Sequence, residues 1–100
     1  MRLNQLQIDS ITHLARKHFG GETRVCLFGS RVDDLKKGGD IDLLVKNNDE
    51  SRLTLFAKVQ FLAELKRTIG NQKIDVVFDN ANTRLKTNFY RSITNQQIEL

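Results

Sequence analysis

Three short apolar runs, Arg24-Val25-Cys26-Leu27-Phe28, Asp40-Ile41-Asp42-Leu43-Leu44-Val45 and Lys73-Ile74-Asp75-Val76-Val77-Phe78, alternate with stretches whose apolar residues recur in steps of three and four. Runs of five or six residues rich in Val, Ile, Leu and Phe suit buried strands, whereas three- and four-residue steps suit amphipathic helices. The helical stretches are Gln5 to about His18, with Ile8, Ile11, Leu14, Ala15 and Phe19, and the segment carrying Leu55, Val59, Leu62, Leu65 and Ile69. Asn4 with Gln7 forms a capping pattern for the first helix, and Gly20-Gly21 and Gly70 stop the two in turn. A helical turn is expected over 31–37 and a final, polar helix over 83–93, after a turn and cap at 79–82.

The order helix, strand, helical turn, strand, helix, strand, helix predicts an α/β (α+β) fold of α-β-α-β-α-β-α order, a small mixed sheet of about three strands flanked by helices. Only about eleven residues link the first two strands, short for a crossover with a full helix, so an all-parallel sheet is not expected. With no proline, repeat or low-complexity tract, residues 1–100 read as one domain with one core. The 39% hydrophobic and 28% charged content excludes a disordered tail or a rod. The lack of a long apolar block excludes a membrane span or signal peptide and points to the cytosol.

Asp40 and Asp42, two apart in a strand, project carboxylates to one face. Two like charges at that distance raise each other's pKa unless a cation lies between them, and oxygen ligands without His or Cys suit Mg²⁺, or Mn²⁺ in its place. Asp75 interrupts an otherwise apolar strand, where a lone carboxylate is costly. If its strand pairs with the second, the three acids form one site for two metal ions, the arrangement of phosphoryl and nucleotidyl transfer. Gly29-Ser30, where the first strand breaks, offers backbone N–H groups and a hydroxyl to phosphate oxygens, and Arg31 a guanidinium. Each piece alone is common, but the joint pattern arises by chance in only about one chain of this length in a thousand at that fixed spacing, or about one in a hundred with the spacing loosened.

Leu27-Phe28-Gly29-Ser30-Arg31, Gly39-Asp40-Ile41-Asp42-Leu43-Leu44-Val45 and Ile74-Asp75-Val76-Val77 together resemble the minimal nucleotidyltransferase (MNT) family of the DNA polymerase beta-like superfamily. The resemblance covers essentially the whole chain. It implies that Gly29, Ser30 and Arg31 bind the nucleotide's phosphates. It also implies that Asp40, Asp42 and Asp75 are the catalytic residues and hold two Mg²⁺ ions, Asp75 assisting deprotonation of the acceptor hydroxyl. The implied reaction moves a nucleoside monophosphate, AMP from ATP foremost, to an acceptor and releases pyrophosphate. Larger members append a helical acceptor-binding domain. Small ones in prokaryotes are often encoded beside an all-helical HEPN protein, in some cases as the antitoxin that modifies it, so a HEPN-type toxin is the expected partner.

Two other function classes compete. A non-catalytic nucleotide-binding antitoxin subunit would act by covering its partner, yet such a surface needs no cluster of carboxylates in a strand. An RNA-binding module is favoured by the net charge of +4, with sixteen bases against nine acids once the three aspartates are set aside. One tyrosine and no tryptophan give it little to stack bases on, and direct nucleic-acid binding ranks last. His13 and His18, five apart on a helix, do not share a metal, and Cys26 reads as a small buried hydrophobe.

Overall fold

The computed structural model describes residues 1–33, 35 and 39–100. Helix α1 (Gln5–Phe19) opens with the capping box the sequence predicts: Asn4 Oδ1 accepts from the Gln7 N–H at 2.8 Å and Gln7 Oε1 from the Asn4 N–H at 2.9 Å. Two orphan donors are thereby satisfied. Strand β1 (Arg24–Phe28) runs into a 3₁₀ turn over Gly29–Val32, and β2 (Ile41–Lys46) returns antiparallel to it. Helix α2 (Leu55–Ile69), capped by the Thr54 hydroxyl on the Ala57 N–H at 3.1 Å, crosses over to β3 (Ile74–Phe78), which is parallel to β2. Helices α3 (Ala81–Leu85) and α4 (Thr87–Asn95) lead to β4 (Ile98–Glu99), antiparallel to β1. The sheet is mixed, in the order β3-β2-β1-β4.

Strand alternation splits the side chains between two faces. Val25, Leu27, Ile41, Leu43, Val45, Ile74 and Val76 pack beneath α1 and α2 against Ile11, Leu14, Ala15, Phe19, Phe61 and Leu65. Phe19 centres this layer, with ring centroids 5.4 Å from Phe61 and 5.5 Å from Phe78. Cys26 and Leu44 face the other way, under Ile93 and Tyr90 of α4. A polar knot ties α3 and α4 down: Arg84 reaches Asp79 at 2.9 Å and Glu50 at 2.8 Å, and the Tyr90 hydroxyl donates to Asp79 at 2.9 Å. A second clasp joins α1 to α2, where Lys17 and His18 meet Glu64 at 2.9 and 2.8 Å.

Several expectations are corrected. The sheet has a fourth strand, two residues long, too short for any periodicity to announce. Asp40 precedes β2 rather than belonging to it. The last helix begins earlier, under an Asn80 cap, and breaks at Lys86 into two. On α2 the inward face is Phe61 and Leu65, while Leu55 and Val59 of the expected stripe stay 74% and 54% exposed and Phe56 75% exposed. Of the helical turn expected over 31–37, residues 34, 36 and 37 lie outside the described residues. Among the described residues no helix is long and apolar enough to cross a membrane.

Candidate functional site

Register places the acids. β1 pairs Phe28 with Asp42, and β2 pairs Asp42 with Asp75, so the end of β1 and the two carboxylates stand side by side on the face opposite α1 and α2. Asp40, one residue ahead of β2, turns into the same space, and one carboxylate oxygen from each acid lies within 4.8 Å of the others. Burial pushes Asp42 from its ordinary value of 3.8 up to about 6, helped by the charges of Asp75 and Asp40 and a hydrogen bond with Asp75, and opposed by Lys73. Lys73 stands 3.5 Å from Asp40.

The donor set fits a hard divalent cation. Oxygens about 2.1 Å from Mg²⁺ stand about 3.0 Å apart when adjacent and about 4.2 Å apart when opposite, so carboxylate oxygens within 4.8 Å of one another would draw together onto an ion by side-chain movement alone. Neutralising three crowded carboxylates would also relieve the repulsion felt by Asp42.

Gly29 and Gly39 bring the loops against the acids. Gly29 has φ +75° and Gly39 φ +92°, in the left-handed region that glycine tolerates. A Cβ on Gly29 would run into Asp42 Oδ2, and one on Gly39 into Ser30 Oγ. The Gly-Ser turn and the Gly-Asp-Ile-Asp segment therefore pack glycine backbone against a side chain in both directions, with Ser30 against Gly39, the residue before Asp40. The Arg31 guanidinium donates to the carbonyls of Arg2 at 3.0 Å and Gly39 at 3.3 Å, and to Gln72 Oε1 at 3.3 Å.

The family model described as Polymerase beta, Nucleotidyltransferase matches residues 10–100. The chain belongs to the polymerase beta nucleotidyltransferase family. No curated protein and no solved structure matches it.

Within this nucleotidyltransferase domain the structure adds residues that the sequence pattern did not single out. Arg2 donates to the Ser30 carbonyl at 3.1 Å and the Asp33 carbonyl at 3.1 Å, strapping the start of the chain over the Gly-Ser turn. Nothing in the local sequence marks it, because its partners lie some thirty residues away. A cleft of about 420 Å³ opens beside Asp42 and Asp75, with Phe28, Val77 and Phe89 on that side and Lys58 and Leu62 across the β3 edge. Burial pushes the Cys26 thiol up, away from thiolate, as a core residue requires.

Proposed function

We propose that this nucleotidyltransferase transfers AMP from ATP to a hydroxyl of a partner protein, a HEPN-type toxin being the foremost candidate, in the role of an antitoxin. The observation that carries the reading is the convergence of Asp40, Asp42 and Asp75 to within 4.8 Å beside a Gly-Ser turn. The three carboxylates would hold two Mg²⁺ ions, with Mn²⁺ as a substitute. Bound there, the metal would neutralise charge on the triphosphate and on the acceptor oxygen.

The chain's own residues divide the remaining work. Gly29 and Ser30 lie on the β1 side of Asp42 and would receive the phosphates through backbone N–H and hydroxyl. Arg31 and Arg2 brace that turn from behind. Asp75, exposed on β3, stands on the opposite side and would take the acceptor's proton at its carboxylate. The acceptor oxygen forms a bond to the α-phosphorus, the bond from that phosphorus to the α,β-bridging oxygen breaks, and pyrophosphate leaves.

The test is incubation with Mg²⁺, α-phosphate-labelled ATP and lysate of the source cells, with Asp42→Asn as control. A labelled protein band that vanishes in the variant supports the reading. ATP binding without any label would favour an antitoxin that acts by covering its partner.

A further inference from the structure

β3 is an edge strand, and its hydrogen-bond parity shows which groups it leaves open. The Ile41 N–H bonds the Lys73 carbonyl at 3.1 Å, and the Asp79 N–H bonds the Val45 carbonyl at 2.9 Å. In a parallel ladder alternate residues turn to the partner strand, so residues 73, 75, 77 and 79 face β2 while Ile74, Val76 and Phe78 direct their N–H and C=O groups outward. No hydrogen bond from the described residues reaches those outward groups. The cleft beside the acids lies along this same edge and takes its lining from both sheet faces.

Charge selects what could pair there. Lys58 and Leu62 line the cleft from α2, and Lys66 follows at the same four-residue step, while Lys73 at the start of β3 is paired with Asp40. Asp42 and Asp75, the two acids in the lining, would be neutralised by a bound cation, and Glu64 and Asp79 are engaged elsewhere, Glu64 with Lys17 and His18, and Asp79 with Arg84 and Tyr90.

We infer that the acceptor is an acidic, extended segment of a partner protein that adds to the free edge of β3 as a fifth strand and presents a hydroxyl side chain beside Asp75. The inference rests on the protein-acceptor reading above and specifies how the acceptor is held. Backbone pairing to Ile74, Val76 and Phe78 sets the register, and a residue opposite Asp75 projects to the same face, where its oxygen meets the α-phosphorus. The hydroxyl proton passes to Asp75, and pyrophosphate departs toward Gly29 and Ser30.

The probe is a set of peptides of about nine residues, each with a central Ser, Thr or Tyr and either acidic or basic flanks, offered with Mn²⁺ and α-phosphate-labelled ATP. Acidic-flanked peptides should be labelled about tenfold faster than basic-flanked ones. Val76→Pro removes an outward N–H without touching the β2 ladder and should lower that labelling about tenfold, with Mn²⁺ binding unchanged. As a check independent of that variant's folding, saturating peptide should slow amide exchange at Ile74, Val76 and Phe78 in the unaltered protein. Equal labelling by Val76→Pro with no added protection overturns the inference. Labelling of an RNA 3′ end in place of any peptide overturns it too, and replaces the protein acceptor with a nucleic acid while leaving nucleotidyl transfer standing. Absence of label on every acceptor overturns both readings.

Discussion

Replacing Asp42 by asparagine should abolish transfer and, in the same molecule, stabilise the metal-free fold at neutral pH. Asp42 titrates near 6 in the folded protein against 3.8 ordinarily, because burial and the charges of Asp75 and Asp40 disfavour its ionised form. At about 1.4 kcal/mol per pH unit, the ionised carboxylate would cost the fold up to about 3 kcal/mol. Asp42 is only partly buried, so solvent screening reduces this to about 1 kcal/mol. The folded state binds the proton more tightly than the unfolded one, so this group's contribution is most favourable below pH 4 and is lost as pH rises through 6. The variant lacks that loss. In EDTA above pH 7 it should therefore melt about 5 °C higher than the unaltered protein, and the offset should vanish near pH 4. Adding Mg²⁺ or Mn²⁺ should raise the melting temperature of the unaltered protein and leave the variant behind. Thermal melts by circular dichroism across this pH range decide the matter. A variant that melts lower at pH 7.5, or an offset that persists at pH 4, would refute the account of crowded carboxylates.

Gly29→Ala should destabilise the protein by about 1–2 kcal/mol through its positive φ and displace Asp42 by direct collision; paired urea melts and transfer assays should show activity falling further than stability, and normal activity would contradict the close approach. Phe61→Ala should cost about 3–5 kcal/mol, a large part of a small domain's stability, while Val59→Ala of the expected stripe stays within about 1 kcal/mol; equal costs in urea unfolding would restore the helix face first expected. Arg31→Ala should lower stability by about 1 kcal/mol with the KM for ATP unchanged, because its guanidinium is held by Arg2, Gly39 and Gln72; a raised KM at constant melting temperature would assign Arg31 to the phosphates instead.

The parts of the fold legible in the sequence are those governed by near neighbours. The Asn4 and Gln7 box, the glycine stops and the three longer strands all follow from local patterning, and the short link between the first two strands excluded an all-parallel sheet. What escaped needed partners distant in the chain. β4 exists because Ile98 and Glu99 find Leu27 and Cys26, not because two residues form a strand alone. The inward face of α2 was misjudged because its sequence is apolar around much of its girth: Leu55, Phe56, Val59, Phe61 and Leu65 offer two candidate faces, and only the position of Phe19 selects the one with Phe61. The acids were legible because carboxylates in apolar runs conflict with the strand's own chemistry. The Arg2 strap and the Lys73 ion pair were not, since nothing local requires them.

The precision of the site follows from that of the core on the other side of the same strands. Ile41, Leu43 and Val45 are fully buried beneath α1 and α2, and Asp42 points away only because strand side chains alternate. A slip of one residue in β2 would drive Asp42 into the layer around Phe19 and expose Leu43 in the site, exchanging an apolar burial for a buried charge. The parallel register with β3 is held in the same way by Ile74 and Val76, which carries Asp75 into line with Asp42. Repulsion among the carboxylates is therefore opposed by apolar packing that shares their backbone. The site can keep three like charges together before any cation arrives, at a stability cost confined to the open face of the sheet.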